Sequence, residues 1–297
     1  MAIPTTCAGI IGSGSNTVLQ MTAGSSTKAS SVPTTQFDTN ECHLIDMNGT
    51  NGFVLKNLTI KGTNQGHYYN GLRVGNGAVQ NLTNVVIENC LFWGCNPGYS
   101  GAPPGETFAI DANYCTSLTI RNCELDGRLP WTGTAGCPSL IGFNNCEYPY
   151  VEGTYSHHTN VGAGMTFYRC GNVHSKNFKA TNLGTNTDSM AGVGINHENV
   201  SGYLIHESPV LNVGLGSTAN YHVSHMNYDG TRDDASPVQF TNITHDGAVF
   251  KEYTVGTTNS QPAATVTKNG VTLTARDVNV SGDASPNGAA EFFWYKD

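Results

Sequence analysis

A pattern of eight residues recurs along this chain and restricts its fold more than any other feature. The order apolar, any, Asn, apolar, any, apolar, any, Gly is found from Ile87 to Gly94 and again from Ile120 to Gly127. Successive side chains of a strand point to opposite faces. The apolar residues on both sides of the Asn therefore share one face only if the backbone turns there. Because Asn tolerates the left-handed conformation of such a turn, the pattern predicts corners at Asn89 and Asn122.

The same octet recurs seven more times, with Gly, His or Asp in place of Asn in some copies. Most steps between copies are 23 to 35 residues long, which suits one coil of a solenoid with loops of varying size. One step of 17 residues is too short for a coil, and it leaves the assignment around residues 225–242 open. The nine predicted corners are Asn57, Asn89, Asn122, Gly153, Asn177, Gly202, His225, Asn242 and Asp277.

Charges immediately before the corners predict how the coils stack. The sign alternates at each of the first five copies, through Lys56, Glu88, Arg121, Glu152 and Lys176. Neighbouring parallel strands lie about 4.8 Å apart, close enough for a ladder of opposite charges to be favourable and a ladder of like charges to be unfavourable. The alternation therefore indicates that successive copies lie side by side in register.

Composition narrows the classes of protein and partner. Only 12% of the 297 residues are charged and 35 are Gly. This composition is typical of chains built from strands and tight turns, and it contains few of the residues that surface helices favour. The net charge of -8 includes no basic patch, so nucleic acid is not an expected ligand. Neither an apolar run long enough for a membrane span nor a secretory signal is recognisable, and we expect synthesis in a reducing cytoplasm without membrane insertion.

Cysteine and histidine raise the question of metal sites and disulfides. Cys90 and Cys123 occupy the same octet position and are expected to stack as small apolar side chains. No C-x-x-C pair is present among the nine cysteines, and eight of the ten histidines are spread over residues 157–245. A metal site needs three or four ligands to converge, so we expect neither a metal nor another cofactor. A disulfide framework is the alternative interpretation of the cysteines.

The octets divide the chain into three predicted parts. Residues 38–285 form the solenoid. Residues 1–37 contain Lys28 as their one charged side chain, and they are expected to be an extended leader that caps the open end or, alternatively, an arm that attaches to a partner. Residues 286–297 end in the aromatic run from Phe292 to Tyr295, which is expected to cap the last coil or to contact another subunit.

Loops that follow successive octets carry the residues most typical of a binding surface. Aromatic rings stack on the apolar faces of sugars, while amides, carboxylates and guanidinium groups take the hydroxyls. Folding of these rings back onto the solenoid as extra core is the alternative. The candidate ligand-binding residues are Tyr68, Tyr69, Trp93, Tyr99, Arg128 and Trp131.

With their Asn corners and their Cys or aliphatic stacks, the octets resemble the pectate-lyase-like superfamily of right-handed parallel β-helices over about residues 40–285. The resemblance implies an all-β, single-stranded right-handed parallel β-helix of about eight to ten coils. That architecture serves polysaccharide lyases, glycosidases, epimerases and viral tailspikes. Without a recognisable signal peptide, the chain is most similar to the bacteriophage group, which includes tail spikes, receptor-binding proteins and head decorations. These are commonly trimers, so the resemblance implies a homotrimer in a virion, with other virion proteins or a host surface polysaccharide as partners.

An enzyme is the alternative that the resemblance leaves open. Asn186-Thr187-Asp188 resembles the N-T-D motif of polygalacturonase-type glycosidases, and Asp233 and Asp234 resemble the Asp pair that follows it. The pair lies 45 residues beyond Asp188, where that family has about one coil, and the family's later Gly-His-Gly and Arg-Ile-Lys motifs are absent. Asp188, Asp233 and Asp234 are thus weak catalytic candidates, and a non-catalytic role is favoured over a polysaccharide hydrolase or lyase.

Overall fold

The computed structural model describes the parts of the chain that form the strands and most of their corners. These are residues 2–4, 6–20, 43–47, 50–62, 70–75, 82–95, 108–130, 132–133, 136, 139–159, 162–184, 192–212, 221–226, 238–245, 248–256, 265–268, 271–274, 276–278 and 289–296. From residue 221 onwards the structure describes the backbone alone. Every regular element in these ranges is a β-strand, so the described chain is all-β.

The first of three parallel ladders, ladder A, is an eight-stranded sheet in which strands separated by two others in sequence lie side by side. Its strands are β1 (Ala2–Ile3), β4 (His43–Met47), β7 (Asn70–Val74), β10 (Phe108–Asn113), β13 (Ser139–Asn144), β16 (Gly162–Tyr168), β19 (Gly192–Glu198) and β22 (Tyr221–Met226).

Two further parallel ladders follow ladder A along each coil. Ladder B contains β2 (Gly9–Ile11), β5 (Val54–Lys56), β8 (Leu82–Glu88), β11 (Cys115–Arg121), β14 (Tyr150–Glu152), β17 (Gly171–Lys176), β20 (Ser201–Glu207) and β23 (Val238–His245). Ladder C contains β3 (Val18–Gln20), β6 (Thr59–Lys61), β9 (Leu91–Trp93), β12 (Glu124–Asp126), β15 (Tyr155–His157), β18 (Lys179–Thr181) and β21 (Val210–Asn212). The chain visits A, B and C in that order and then begins the next level, an arrangement consistent with a parallel β-helix.

The predicted corners separate ladder B from ladder C. At the first five copies the corner residue has a left-handed backbone, with φ between 51° and 56°. Asn89 Nδ2 donates a hydrogen bond of 3.2 Å to Asn57 Oδ1 of the previous level, so these two corners stack. The octet therefore contains two short strands joined by a bend, and the predicted corners at these positions are confirmed.

Later corners differ from the prediction. Lys176 pairs with Glu207, so the residue that follows Asn177 in the stack is Ser208, with φ 51°, and the prediction at Gly202 is wrong. Gly202 is also left-handed, but it lies at the other end of β20, where the register shifts. This second bend in one coil is what misled the sequence interpretation.

The short step around residues 225–242 has a simple explanation. His225 pairs with His197 in ladder A, so the predicted corner at His225 is wrong. Thr241 pairs with Glu207 in ladder B, which places Asn242 at the level after Ser208. The 17 residues thus separate two positions of the same coil.

Beyond β23 the chain leaves the parallel stack. Its last strands, β24 (Ala248–Gly256), β25 (Thr265–Lys268), β26 (Val271–Thr274), β27 (Arg276–Val278) and β28 (Ala289–Lys296), pair antiparallel. The predicted corner at Asp277 is therefore wrong. Alternating apolar residues fit a hairpin as well as a coil, and Asn269-Gly270, between β25 and β26 in the sequence, is a strong hairpin signal. The aromatic run of residues 292–295 lies in β28, which pairs with β24.

At the other end the stack begins earlier than predicted. Strands β1, β2 and β3 pair in parallel with β4, β5 and β6. Residues 2–20 thus form the first level of all three ladders, although the octet pattern places the start of the solenoid at residue 38. A first level that lacks the Asn corner is the reason that the repeat did not reveal it.

Rows of like side chains fill the space between the ladders. Cys90 and Cys123 are both buried and lie one level apart, as predicted. A second cysteine row, Cys115, Cys146 and Cys170, is also buried, and none of the seven described cysteines forms a disulfide. Burial raises the pKa of Cys95 to about 12, as expected for a thiol that serves as core.

Candidate functional site

The outward face of ladder C carries the densest group of chemically active side chains among the described residues. We call it the C face. In the strands from β6 to β21 of this ladder the middle residue, such as Phe92 or Leu125, is completely buried, so the two residues that flank it point outwards. The first outward row is Thr59, Leu91, Glu124, Tyr155, Lys179 and Val210, and the second is Lys61, Trp93, Asp126, His157, Thr181 and Asn212.

Asp126 lies at the centre of the C face and is held by Arg128. Arg128 Nη2 donates to Oδ2 at 2.5 Å, and Nε and the backbone N–H donate to Oδ1 at 2.9 Å each. The carboxylate side chain is 7% exposed, whereas that of Arg128 is 44% exposed. Burial acts to raise the pKa of Asp126, but the hydrogen bonds from Arg128 outweigh it and the pKa is lowered. Asp126 is therefore ionised at neutral pH and its oxygens are fixed in direction.

Two histidines of the next coil adjoin this carboxylate. His157 Nδ1 lies 3.6 Å from Asp126 Oδ1 and 2.5 Å from His158 Nδ1. On the opposite side of the ring, His157 Nε2 is 3.1 Å from Glu124 Oε1. Burial is the main cause that lowers the pKa of His158, so this imidazole is neutral at pH 7. Asp126, His157 and His158 each offer a ligand atom, and all three atoms lie within 4.8 Å of one another.

Aromatic rings surround these polar groups. Tyr155 stacks on His157 with ring centroids 4.3 Å apart, and the ammonium of Lys179 lies 4.4 Å from the centre of the same tyrosine ring. On the other side of Asp126 in the ladder, the ammonium of Lys61 lies 4.7 Å from the centre of the Trp93 ring. The C face thus offers flat rings next to fixed charges, a combination that suits both hydrogen bonding and stacking.

A smaller aromatic group lies on the side of ladder B. Tyr148 and Tyr203 are 50% and 46% exposed, with ring centroids 6.5 Å apart. Nearby, His174 Nε2 contacts Glu207 Oε1 at 2.5 Å. Much of the remaining outward face of ladder B is occupied by ion pairs between neighbouring levels, so it has fewer groups available for a ligand than the C face.

Two residues singled out from the sequence meet on the C face. Trp93 pairs with Asp126, and Arg128 binds the same Asp126. The other candidates, Tyr68, Tyr69, Tyr99, Trp131, Asp188, Asp233 and Asp234, lie outside the described residues. The segments with the first four of these begin just beyond Lys61, Trp93 and Asp126, which are neighbours in ladder C.

Sequence reasoning missed Glu124, Asp126 and Tyr155 as parts of a site. The signal was present, because the outward residues of ladder C are always two and four positions beyond the corner. Aligning these two positions across the octets brings Trp93, Asp126 and His157 into one column. The octet spans two strands, and only the second of them carries this face.

Comparisons with protein families, with curated proteins and with solved structures find no match for this chain. Among the residues that the structure describes, no helix is long and apolar enough to cross a membrane. The geometry of the C face is therefore the basis for a functional proposal.

Proposed function

We propose that this chain is a non-catalytic virion structural protein whose C face binds a host surface glycan. In this proposal the three ladders form a single-stranded right-handed parallel β-helix of eight to ten coils, because parallel crossovers are almost always right-handed. The protein would act as a tail spike or receptor-binding protein. Alternatively, it would decorate the head of the particle and contact other virion proteins. Its placement in a bacteriophage particle rests on the resemblance to tailspike β-helices.

One observation carries the binding proposal: the second outward row of ladder C aligns Lys61, Trp93, Asp126 and His157 over four successive levels. Levels about 4.8 Å apart on a rigid sheet fix the separation between a ring, a carboxylate and a cation. Such preorganisation lowers the ordering cost of binding an extended ligand. A glycan chain fits this arrangement, because it offers apolar ring faces and hydroxyls in alternation along its length.

The environment of the carboxylates favours binding over catalysis. Hydrolysis of a glycoside requires two carboxyl groups that reach the scissile bond, one of them as a proton donor. Both oxygens of Asp126 accept hydrogen bonds from Arg128, and the lowered pKa of this carboxyl group makes it a poor proton donor at neutral pH.

A polysaccharide-degrading enzyme is the second candidate, and Glu124 is the observation in its favour. This carboxylate is 51% exposed and lies on the same outward face as Asp126, with the His157 imidazole between them. An exposed and a buried carboxyl group on one face are the elements of an acid and base pair. Release of oligosaccharides from a bound polysaccharide, lost in Glu124→Gln, would replace the adhesion proposal by this one.

Binding to a panel of immobilised bacterial capsular and O-antigen polysaccharides tests the proposal. We expect Trp93→Ala and Arg128→Ala each to weaken binding about tenfold, because an anchor residue contributes on the order of 1–2 kcal/mol. The double variant Tyr99→Ala, Trp131→Ala is expected to have at least the same effect. Tyr148→Ala is the matched control, since it removes an exposed ring from a different side of the molecule.

Each variant is first checked for the thermal unfolding midpoint of the parent chain. Correctly folded Trp93→Ala and Arg128→Ala variants that bind as well as the parent would remove the C face as the binding surface. Equal loss in the Tyr148→Ala control would move the site to the side of ladder B.

A further inference from the structure

Three donor atoms from two coils converge on the C face in a way that glycan binding does not require. Asp126, His157 and His158 each offer one ligand atom, and these three atoms lie within 4.8 Å of one another. Asp126 ends β12 and His157 ends β15, and the two residues pair in register. Because both strands belong to the rigid stack, the carboxylate and the first imidazole are held together by the fold rather than by a loop.

We propose that Asp126, His157 and His158 form a binding site for a divalent transition metal of the zinc type. The inference is independent of the proposed glycan function. Two imidazole nitrogens and one carboxylate oxygen are a donor set that suits Zn²⁺ and also Co²⁺, Ni²⁺ and Cu²⁺. Three protein ligands leave a fourth position for water or for an oxygen of a ligand.

The distances require only small movements to fit an ion. Tetrahedral bonds of about 2.0–2.1 Å place ligand atoms about 3.3 Å apart. The separation of Asp126 Oδ1 and His157 Nδ1 is 3.6 Å, within a few tenths of an ångström of this value. The two Nδ1 atoms are 2.5 Å apart and must separate by roughly 0.8 Å. His158 follows the strand end and is only partly buried, so its ring has room to rotate.

Groups around the cluster orient the two imidazoles. A metal-bound histidine usually donates its other N–H to a carboxylate or carbonyl group. Glu124 Oε1 lies 3.1 Å from His157 Nε2 and can accept the proton on this nitrogen. The lone pair of Nδ1 is then available to a metal ion. Asn182 Nδ2 lies 3.4 Å from His158 Nε2, and a half-turn of this amide places Oδ1 towards the ring, where it accepts the Nε2 proton. Both rings are then in the tautomer that presents Nδ1 to an ion.

Among the described residues, Arg128 competes with an ion for the carboxylate of Asp126, and its hydrogen bonds leave one oxygen available. Its Nη2 bonds to Oδ2, so this bond survives when Oδ1 faces the metal. The backbone N–H of Arg128 also donates to Oδ1, and this oxygen can keep that bond on one lone pair and bind an ion with the other. The Nε bond to Oδ1 is lost, but Nε also lies 3.0 Å from Oδ2. The guanidinium therefore stays paired with Asp126 while the carboxylate binds an ion through its other oxygen, in the manner of an outer-sphere partner.

Calorimetric titration of the metal-free full-length chain with ZnCl₂ tests the site, with Co²⁺ absorption as a second readout of four-coordinate geometry. We expect one ion per chain, and at least about tenfold weaker binding in His158→Ala and in Asp126→Asn. His174→Ala is the matched control, because it removes a histidine paired with a carboxylate on another face, and it should bind zinc like the parent. Zinc should also raise the unfolding midpoint of the parent and not that of His158→Ala.

Two results would overturn the proposal. One is a folded parent chain that takes up no Zn²⁺ or Co²⁺ at 100-fold excess over micromolar protein. The other is affinity in His158→Ala and Asp126→Asn that stays within twofold of the parent, which would place any bound ion on other histidines. Unfolding of each variant without metal is measured in parallel, and Asp126→Glu replaces Asp126→Asn if that variant fails to fold.

Discussion

At the scale of single residues, the fold depends on side chains that accept a left-handed backbone at the corners. Asn57, Asn89, Asn122 and Asn177 all have φ above 50°. A residue with a branched Cβ is strained in this region. The amide also links neighbouring levels, as the bond from Asn89 to Asn57 shows, so Asn contributes twice at one position.

Replacing Asn89 tests these two contributions. We expect Asn89→Val to lower the free energy of unfolding by roughly 1–3 kcal/mol, because it adds strain and removes the bond to Asn57. Asn89→Gly should cost less, since it relieves the backbone and loses only the bond. Urea unfolding of both variants measures the difference, and equal losses would show that the left-handed backbone contributes nothing to the preference for Asn.

Inside the stack, a buried histidine makes the fold sensitive to acid. His206 Nδ1 lies 2.6 Å from Ser175 Oγ, and its Nε2 lies 3.0 Å from His197 Nε2. Burial, with a smaller contribution from the charge of His174, lowers the pKa of His206 from 6.5 to about 3. Below pH 6.5 the unfolded chain takes up a proton at this position, whereas the folded chain does not until about pH 3.

The free energy of unfolding should therefore fall as the pH drops from about 6.5 towards 3. This one group lowers the free energy of unfolding by up to about 1.4 kcal/mol for each pH unit of acidification in this range. His206→Gln keeps a polar partner for Ser175 and removes the titration. Urea unfolding between pH 7 and pH 4 measures how the free energy of unfolding depends on pH. In the variant the slope should correspond to about one proton fewer than in the parent, and parallel curves for the two proteins would assign the acid sensitivity to other groups.

At the scale of the strands, alternating charge specifies register in ladder B. Lys56 Nζ lies 2.8 Å from Glu88 Oε2, and Arg121 Nη2 lies 3.1 Å from the same oxygen. Hydrogen bonds, first from Lys56 and then from Arg121, lower the pKa of Glu88. The row of alternating charges extends one level beyond the five residues recognised from the sequence pattern. Glu207 pairs with Lys176 and adds a sixth charge.

Reversing one charge in this row should weaken the stack. Glu88→Gln removes two attractive pairs and is expected to cost about 0.5–1.5 kcal/mol, and Glu88→Lys should cost more because three cations would then be adjacent. The difference between the two variants should shrink at 1 M salt. Chemical denaturation at low and high salt measures it, and a salt-independent difference would point to packing rather than charge.

At the scale of the whole molecule, the ladders end in different ways. The first level, β1 to β3, lies at one end of the parallel order, whereas antiparallel strands β24 and β28 follow β23 at the other. Open strand edges tend to pair with other chains. Differently built ends are consistent with the proposal that the chain assembles with copies of itself or with another virion protein.

We predict a homotrimer with its axis along the solenoid. Light scattering of the full-length chain at micromolar concentration should give three times the mass of 31.5 kDa. Deleting residues 289–297 tests the contribution of β28 and should reduce the mass to that of one chain if the aromatic run lies in the contact. A single-chain mass for the intact protein would count against self-assembly.

The sequence by itself determined the class of fold, the stacking and the register of the central coils. Asn corners, alternating charges and the column of Cys90 and Cys123 are local signals that repeat, and a repeat in sequence becomes a row in space when strands stack. It also pointed to Trp93 and Arg128. These inferences needed only the period of the pattern and the distance between parallel strands.

The tertiary structure decided where the pattern ends and what lies beside it. Strands β2 and β3 pair by backbone hydrogen bonds without an Asn corner, and strands β25 and β26 satisfy the same alternation as an antiparallel pair. Backbone pairing is nearly independent of side-chain identity, so a repeat cannot reveal coils that lack its signature. The cluster of Asp126 with His157 and His158 also emerged only there, because its members come from different coils and meet through register.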